Sequence, residues 1–207
     1  MRNEFKIFVE GPADKRFIEQ LICHLWQFEV PGDSIISTDG YTNLMSDDKG
    51  MAYANQMRRT SDEGGINLVI FDADADCETR RRELLEWKGR AGVDFELFLL
   101  PDNAGSGALE DLLERIVNPD NKAVIDCWNG YEESLRGVVL PWRNGNPLTI
   151  PAKKTKIYAY LEVLLGVSKS EKKKIKEPNR IYTDKNHWDL DAAALSGLSN
   201  FLKANLD

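Results

Sequence analysis

Ile66 to Phe71 reads INLVIF, a nearly unbroken apolar run closed by the acidic sequence Asp72-Ala73-Asp74-Ala75-Asp76. A strand with one face in water alternates polar and apolar residues, so a run like this one belongs to a strand covered on both faces, as in a parallel sheet. Parallel neighbours need crossover connections, and crossovers are usually helices. The surrounding sequence supplies them. Lys6 to Val9 (KIFV) is a short β-rich run ending at Glu10-Gly11-Pro12, and from Asp14 onward Phe17, Ile18, Leu21, Ile22 and Leu25 fall at helical spacing. A weaker strand, Ser34 to Ser37, precedes a polar, turn-rich stretch and a helix around Ala52 to Arg59. After the apolar run comes a charged helix, roughly Glu78 to Arg90, then a strand at Phe95 to Leu100. Gly105-Ser106-Gly107 then leads into the amphipathic ALEDLLERIV.

Strands alternating with helices in this way predict an α/β fold with a mostly parallel sheet flanked by helices. Beyond about residue 120 the pattern changes to helices at Tyr158 to Val167 and Ala192 to Leu202, separated by a lysine-rich segment. We therefore expect an α/β domain over residues 1–120 and a mainly helical subdomain over 121–207 packed on it. No apolar run reaches membrane-spanning length, and MRNEFKIFVEG has no stretch suited to a signal peptide, so a cytoplasmic protein is expected. Cys23, Cys77 and Cys127 are odd in number and scattered, which fits reduced thiols.

The acids cluster by position. Glu10 follows the first strand and Asp14 opens the next helix; Asp72, Asp74 and Asp76 follow the buried strand; Glu110 and Asp111 begin the helix after the last strand. In a parallel sheet all of these fall at the carboxyl edge, where ligands bind in such folds. Simple alternation along an extended chain puts Asp72 and Asp74 on one side. Ionised carboxylates converging there repel each other by roughly 4 kcal/mol per pair at 4 Å and an effective dielectric of 20. The cluster needs protons or a cation, and oxygen donors with no His or Cys nearby select Mg²⁺ or Mn²⁺ over Zn²⁺. A hard ion at this edge points to phosphate chemistry. Each acid also has a plainer role open to it: Asp14 as a helix cap, Glu110 as a partner of the helix dipole, and the aspartates as a solvated loop.

At these residues the chain resembles the Toprim superfamily of topoisomerases, primases and OLD-type nucleases, over about residues 5–115. Glu10 in FVEGPAD and Asp72 with Asp74 in FDADAD match the family's glutamate and DxD. The ExxxD spacing of Glu10 and Asp14, and Glu110 in GSGALED, look like the OLD-nuclease branch. The whole chain, with LPDNAGSGALEDLLE, KIYAYL and HWDL, is also similar to a bacterial family of Toprim-like proteins with no assigned function. The resemblance implies a Rossmann-like Toprim fold and a phosphodiester-handling site with one or two Mg²⁺ or Mn²⁺ ions. Glu10, Asp14 and Glu110 would hold one ion, and Asp72 and Asp74, joined by Asp76, a second. It further implies a lysine beyond the acids, expected at Lys153, Lys154 or Lys156. OLD proteins carry an ATPase domain, and this sequence has no GxxxxGK[ST] loop, so any ATPase would be a separate polypeptide.

The function expected is a Mg²⁺-dependent nuclease or related phosphotransfer enzyme acting on nucleic acid. The alternative is a non-catalytic Toprim-fold module working with a partner. A third reading, a haloacid-dehalogenase-like phosphatase, rests on the similarity of IFDADAD to that superfamily's DxDx[TV] motif, but Asp76 stands where Thr or Val is expected. The formal charge of -7 does not exclude a nucleic-acid partner. Residues 1–150 carry 16 basic and 27 acidic side chains, whereas residues 151–207 carry 11 and 7, so lysines concentrate where phosphate contacts could form. Arg80 to Arg82 are a further candidate for the same phosphates, or else a surface helix. His24 and His187 read as structural. Oligomeric state is left open, a dimer included.

Overall fold

The structure is a computed structural model and describes residues 4–207. Four parallel strands, β1 (Phe5–Val9), β2 (Ile35–Ser37), β3 (Ile66–Asp72) and β4 (Glu96–Leu100), form one sheet in the order β2-β1-β3-β4. β3 lies inside the sheet, with Val69 opposite Phe8 on one side and Leu97 on the other. Its run of five buried residues is what the unbroken apolar sequence demands. Asn67, the polar exception, is buried, and its side-chain NH2 donates to the carbonyls of Met57 (2.9 Å) and Asp94 (3.0 Å).

Helices cover both faces. On one side Phe8, Val69, Phe71 and Leu99 pack against α3 (Lys49–Asp62) and α4 (Cys77–Ala91) through Met57, Leu84 and Trp87. A short α2 (Tyr41–Met45) adds Leu44 to this layer. On the other side Ile7, Val9, Leu68, Ile70 and Leu100 pack against α1 (Pro12–Trp26) and α5 (Leu109–Arg115). Residues 121–207 join that second layer. They supply α6 (Lys122–Arg136), α7 (Lys153–Leu165), α8 (Lys169–Ile175) and α9 (Ser196–Leu206). Ile157, Tyr160, Leu161, Trp188, Leu198 and Leu202 are buried in one cluster with the sheet residues, so the two stretches share a core. Fully burying a residue of this size contributes about 1.5–3 kcal/mol, which makes the later helices part of what stabilises the sheet.

The backbone ties the two stretches as well. The Asp189 amide donates to the Ile116 carbonyl at 2.7 Å, and the Asn118 amide to the His187 carbonyl at 2.9 Å. His24 packs as expected of a structural residue, bonded to Asp191 at 2.7 Å. All three cysteines are free. Among the described residues no helix is long and apolar enough to cross a membrane.

Candidate metal and phosphate site

Each parallel strand hands the chain to a helix at the same edge, and each handover carries an acid. After β1, Gly11 caps α1 with extended backbone and offers no side chain. Asp14 reaches back instead and accepts from the Gly11 amide at 2.8 Å. After β4, Asp111 does the same for α5, accepting from the Ala108 amide at 2.8 Å. That leaves its neighbour Glu110 without a capping duty. After β3, Asp76 is the N-cap of α4, accepting from the Thr79 amide (3.1 Å) and hydroxyl (2.7 Å).

Glu10, Asp14, Asp72 and Glu110 line one cleft of about 330 Å³ at the carboxyl edge, together with Asp39, Lys154 and Glu177. It joins the starts of α1, α5 and α7 to the ends of β2 and β3. Besides Asp14, backbone amides hold two more of its carboxylates in place. Glu10 Oε1 accepts from the Asp72 amide at 3.2 Å, and Asp72 Oδ1 accepts from the Leu109 amide, at the head of α5, at 2.9 Å.

Burial raises the Glu10 pKa, and the Arg80 guanidinium partly offsets that. Burial is also the main cause that pushes Asp14 up to about 7, with the charges of Glu10 and Glu110 adding to it. Asp72 goes up to about 9 through burial, reinforced by Asp14 and Glu10. The amides of Gly11 and Leu109 oppose these shifts without overcoming them. Negative charge in the cleft is therefore undercompensated, and the raised values of Asp14 and Asp72 favour protons there that a cation would displace.

Several expected members lie elsewhere. Asp76 is exposed and outside the cleft; its hydrogen bonds to Thr79 hold its pKa low, which is the signature of a cap. Asp74 is also outside the lining. Alternation fails there because the strand ends at Asp72 and Asp74 has left-handed backbone (φ 52°), bridging through paired amide bonds to Gly107. The Asp74 carboxylate turns to Arg80, whose buried guanidinium lies 3.3 Å from the Tyr41 ring centroid. Arg80 does not line the cleft, though its charge acts on Glu10; Arg81 turns to Asn103.

The three lysines also separate. Lys153 pairs with Asp111, one step removed from the cleft. Lys156 is buried with Glu114 (3.2 Å), Glu132 (3.5 Å) and Asn129 (2.9 Å), where it ties α5, α6 and α7 together. Lys154 is the one that lines the cleft, paired with Glu177.

Sequence reasoning missed two members of the lining. Asp39 follows the short strand β2 in Ser37-Thr38-Asp39-Gly40, so the rule that found the other acids, a carboxylate after a parallel strand, would have found it too. Glu177 carries no such signal, because it reaches the cleft only through the packing of α7, α8 and the turn after them against α1.

A hard divalent cation fits the cleft in donor chemistry: all-oxygen, carboxylate-rich, and undercompensated in charge. Among the described residues, however, no three His, Cys, Asp or Glu side chains already stand as a ligand set. Mutual repulsion favours that separation in the absence of a counter-charge, and one oxygen each of Glu10 and Asp72 is engaged by a backbone amide. Ligation would need the side chains to close on the ion.

A family model described as a protein of unknown function, DUF3226, matches residues 4–207. The chain belongs to that family. No curated protein and no solved structure matches it.

Proposed function

We propose that this member of DUF3226 is a Mg²⁺- or Mn²⁺-dependent phosphodiester-transfer enzyme, a nuclease acting on nucleic acid at the cleft of Glu10, Asp14, Asp72 and Glu110. One observation carries the reading. Four acids from three separate strand ends line a single cleft in which burial and mutual repulsion raise the pKa of Glu10, Asp14 and Asp72. The likeness of FVEGPAD and FDADAD to the Toprim pattern supports it.

When bound, the ion supplies charge neutralisation and a polarised phosphoryl oxygen. Glu10, Asp14, Glu110 and Asp72 would be the residues to hold it. Asp74 would act from outside the cleft, by holding the Arg80 guanidinium whose charge acts on Glu10. Lys154 presents its ammonium to the phosphate in the role first assigned among Lys153, Lys154 and Lys156, because it is the member of the three that lines the cleft.

The purified protein should nick or degrade nucleic acid in Mn²⁺ or Mg²⁺. Asp72→Asn and Glu10→Gln should each lower that rate by about a hundredfold or more, with no fall in Tm. Cleavage that survives both substitutions overturns the site.

A second reading is a binding or regulatory module acting with a partner, such as a separately encoded ATPase. It is favoured by the lack, among the described residues, of a ready-made ligand set. Tight nucleic-acid binding without cleavage in either metal would decide for it. The phosphatase alternative leaves Glu10, Asp14 and Glu110 without a role.

A further inference from the structure

The chain holds 34 acids among 207 residues, yet residues 134–161 contain none. The same stretch carries five bases, Arg136, Arg143, Lys153, Lys154 and Lys156. Within it, residues 137–152 are the connection from α6 to α7, with one 3₁₀ turn at Pro141–Arg143 and no other helix or strand. Connections this long inside a compact domain are uncommon, and are mostly binding loops, lids or linkers. This arm leaves large apolar groups in water. Trp142 is 72 % exposed and Val139 79 %, and neither packs against a core cluster.

Both ends of the arm are fixed near the cleft. Lys156 bonds Asn129 at 2.9 Å and Glu132 at 3.5 Å, which ties the last part of α6 to the first turn of α7. The chain leaves α6 one turn after Glu132 and returns at Lys153, one turn before Lys156. The returning residues meet the cleft directly: Lys154 lines it, and Lys153 pairs with Asp111. Farther out, the Arg143 guanidinium lies 5.5 Å from the centroid of the Trp142 ring. Its Nη2 donates to the Pro147 carbonyl at 3.0 Å, closing a turn through Asn144 and Gly145, whose φ angles are 52° and 82°. Ring and cation are therefore held together on the arm. Of the five bases, Arg143 is the one without a carboxylate partner among the described residues.

We infer that the arm of residues 137–152 is a track for a single-stranded polynucleotide that leads to the carboxylate cleft, with Trp142 stacking on a base and Arg143 and Lys154 meeting phosphates. Proteins that hold single strands combine these two elements, an aromatic face for the bases and cations along the backbone. Charge selects the occupant. An acid-free, basic stretch complements a polyanion, and it supplies the attraction that the acidic cleft lacks. A second copy of the chain, docked through the same surface, would set two basic arms against each other across a two-fold axis. A duplex keeps its bases stacked inside and offers Trp142 no free face. The inference deepens the phosphodiester reading of the cleft and rests on it for what happens to the strand once bound.

The test uses the full chain and a labelled oligothymidylate, followed by fluorescence anisotropy in EDTA and in Ca²⁺, with a duplex of equal length for comparison. Wild type should bind the single strand more tightly than the duplex. Trp142→Ala should weaken that binding about tenfold or more, with no fall in Tm because the ring is exposed, and Trp142→Phe should restore most of it. Arg143→Ala should lower the slope of log affinity against log salt by about 0.7, the loss of one phosphate contact. Wild-type affinity in Trp142→Ala, tighter binding of the duplex, or no binding by wild type in either condition would each overturn the track. Self-association abolished by Trp142→Ala would give the surface to a second copy and overturn it too. Cleavage in Mn²⁺ separates the two failures. A strand bound through Trp142 but never cut removes the nuclease reading and leaves the track standing, whereas cutting and binding unchanged in Trp142→Ala remove the track and leave the cleft.

Discussion

Three lysines within four residues at the head of α7 meet three different sets of acids. Lys153 lies on Asp111, Lys154 on Glu177, and Lys156 between Glu114 and Glu132. The helical turn of about 100° per residue separates them: Lys156 is carried inward to 6 % exposure, and Lys154 is left on the cleft rim. Sequence spacing narrows the cleft lysine to this trio, and only the rotation of α7 against α5 and α6 selects among them. Lys156→Met should lower stability by about 3 kcal/mol in urea unfolding, since it strands partly buried carboxylates. Lys154→Ala should change stability by less than about 1 kcal/mol and lower the cleavage rate. Equal losses of stability in the two variants would contradict this division of roles. A similar division explains why the acids were legible as a group and mixed in detail. Asp14 both closes the start of α1 and lines the cleft, whereas Asp76 only caps α4. From sequence the two have the same look, a carboxylate between a strand and a helix.

The pairing of strand end with helix start makes each βα turn a small positioning device. The turn after β4 is the most constrained. Gly107 has φ 140° and exchanges amide bonds with Asp74 at 2.7 and 2.8 Å. A side-chain carbon there would meet Asp111 Oδ2 at 2.7 Å and Pro101 Cδ at 3.0 Å. Gly107→Ala should therefore cost about 1–3 kcal/mol, read as a Tm lower by roughly 2–10 °C. It should also weaken Mn²⁺ binding, because Leu109, whose amide holds Asp72, lies two residues on. The four strands and their helices were evident from apolar runs and periodicity, with ends shifted by a few residues. α6 was not. Ile125 is its only buried residue, and Asn129-Gly130 interrupts the apolar stripe that would have marked it. The lysine-rich run at 169–176 proved to be α8, a surface helix carrying the single buried residue Ile175.

On the scale of the molecule, the cleft stores unfavourable charge that the rest of the fold must hold together. Asp14 and Asp72 have folded pKa values raised well above the ordinary carboxylate range. Between that range and about pH 9 the native state binds more protons than the unfolded chain, so metal-free stability should fall as pH rises, by about 1.4 kcal/mol per pH unit for each extra proton. Asp72→Asn should flatten this slope in thermal melts from pH 5 to 9. On the proposed metal reading Mn²⁺ would have to displace those protons, so any rise in Tm that it produces should be larger at pH 8 than at pH 6. An unchanged slope in Asp72→Asn would show that the cleft does not store the charge. Glu177 was the least legible member of the lining. It falls in a stretch with no periodicity of its own, which is tied to α1 by the bonds of Gln20 to Arg180 and Tyr182, more than 150 residues apart in the chain.

That long reach sets an order of events. A ribosome adds Glu10, Asp14, Asp72 and Glu110 to the chain before it has made Lys154 or Glu177. These acids can gather once the sheet forms, while Lys154, the cation of the cleft lining, arrives only with α7. During synthesis the nascent chain therefore passes through a stage in which its carboxyl edge carries its acids without that counter-charge. The cleft is completed last, by residues made after the sheet.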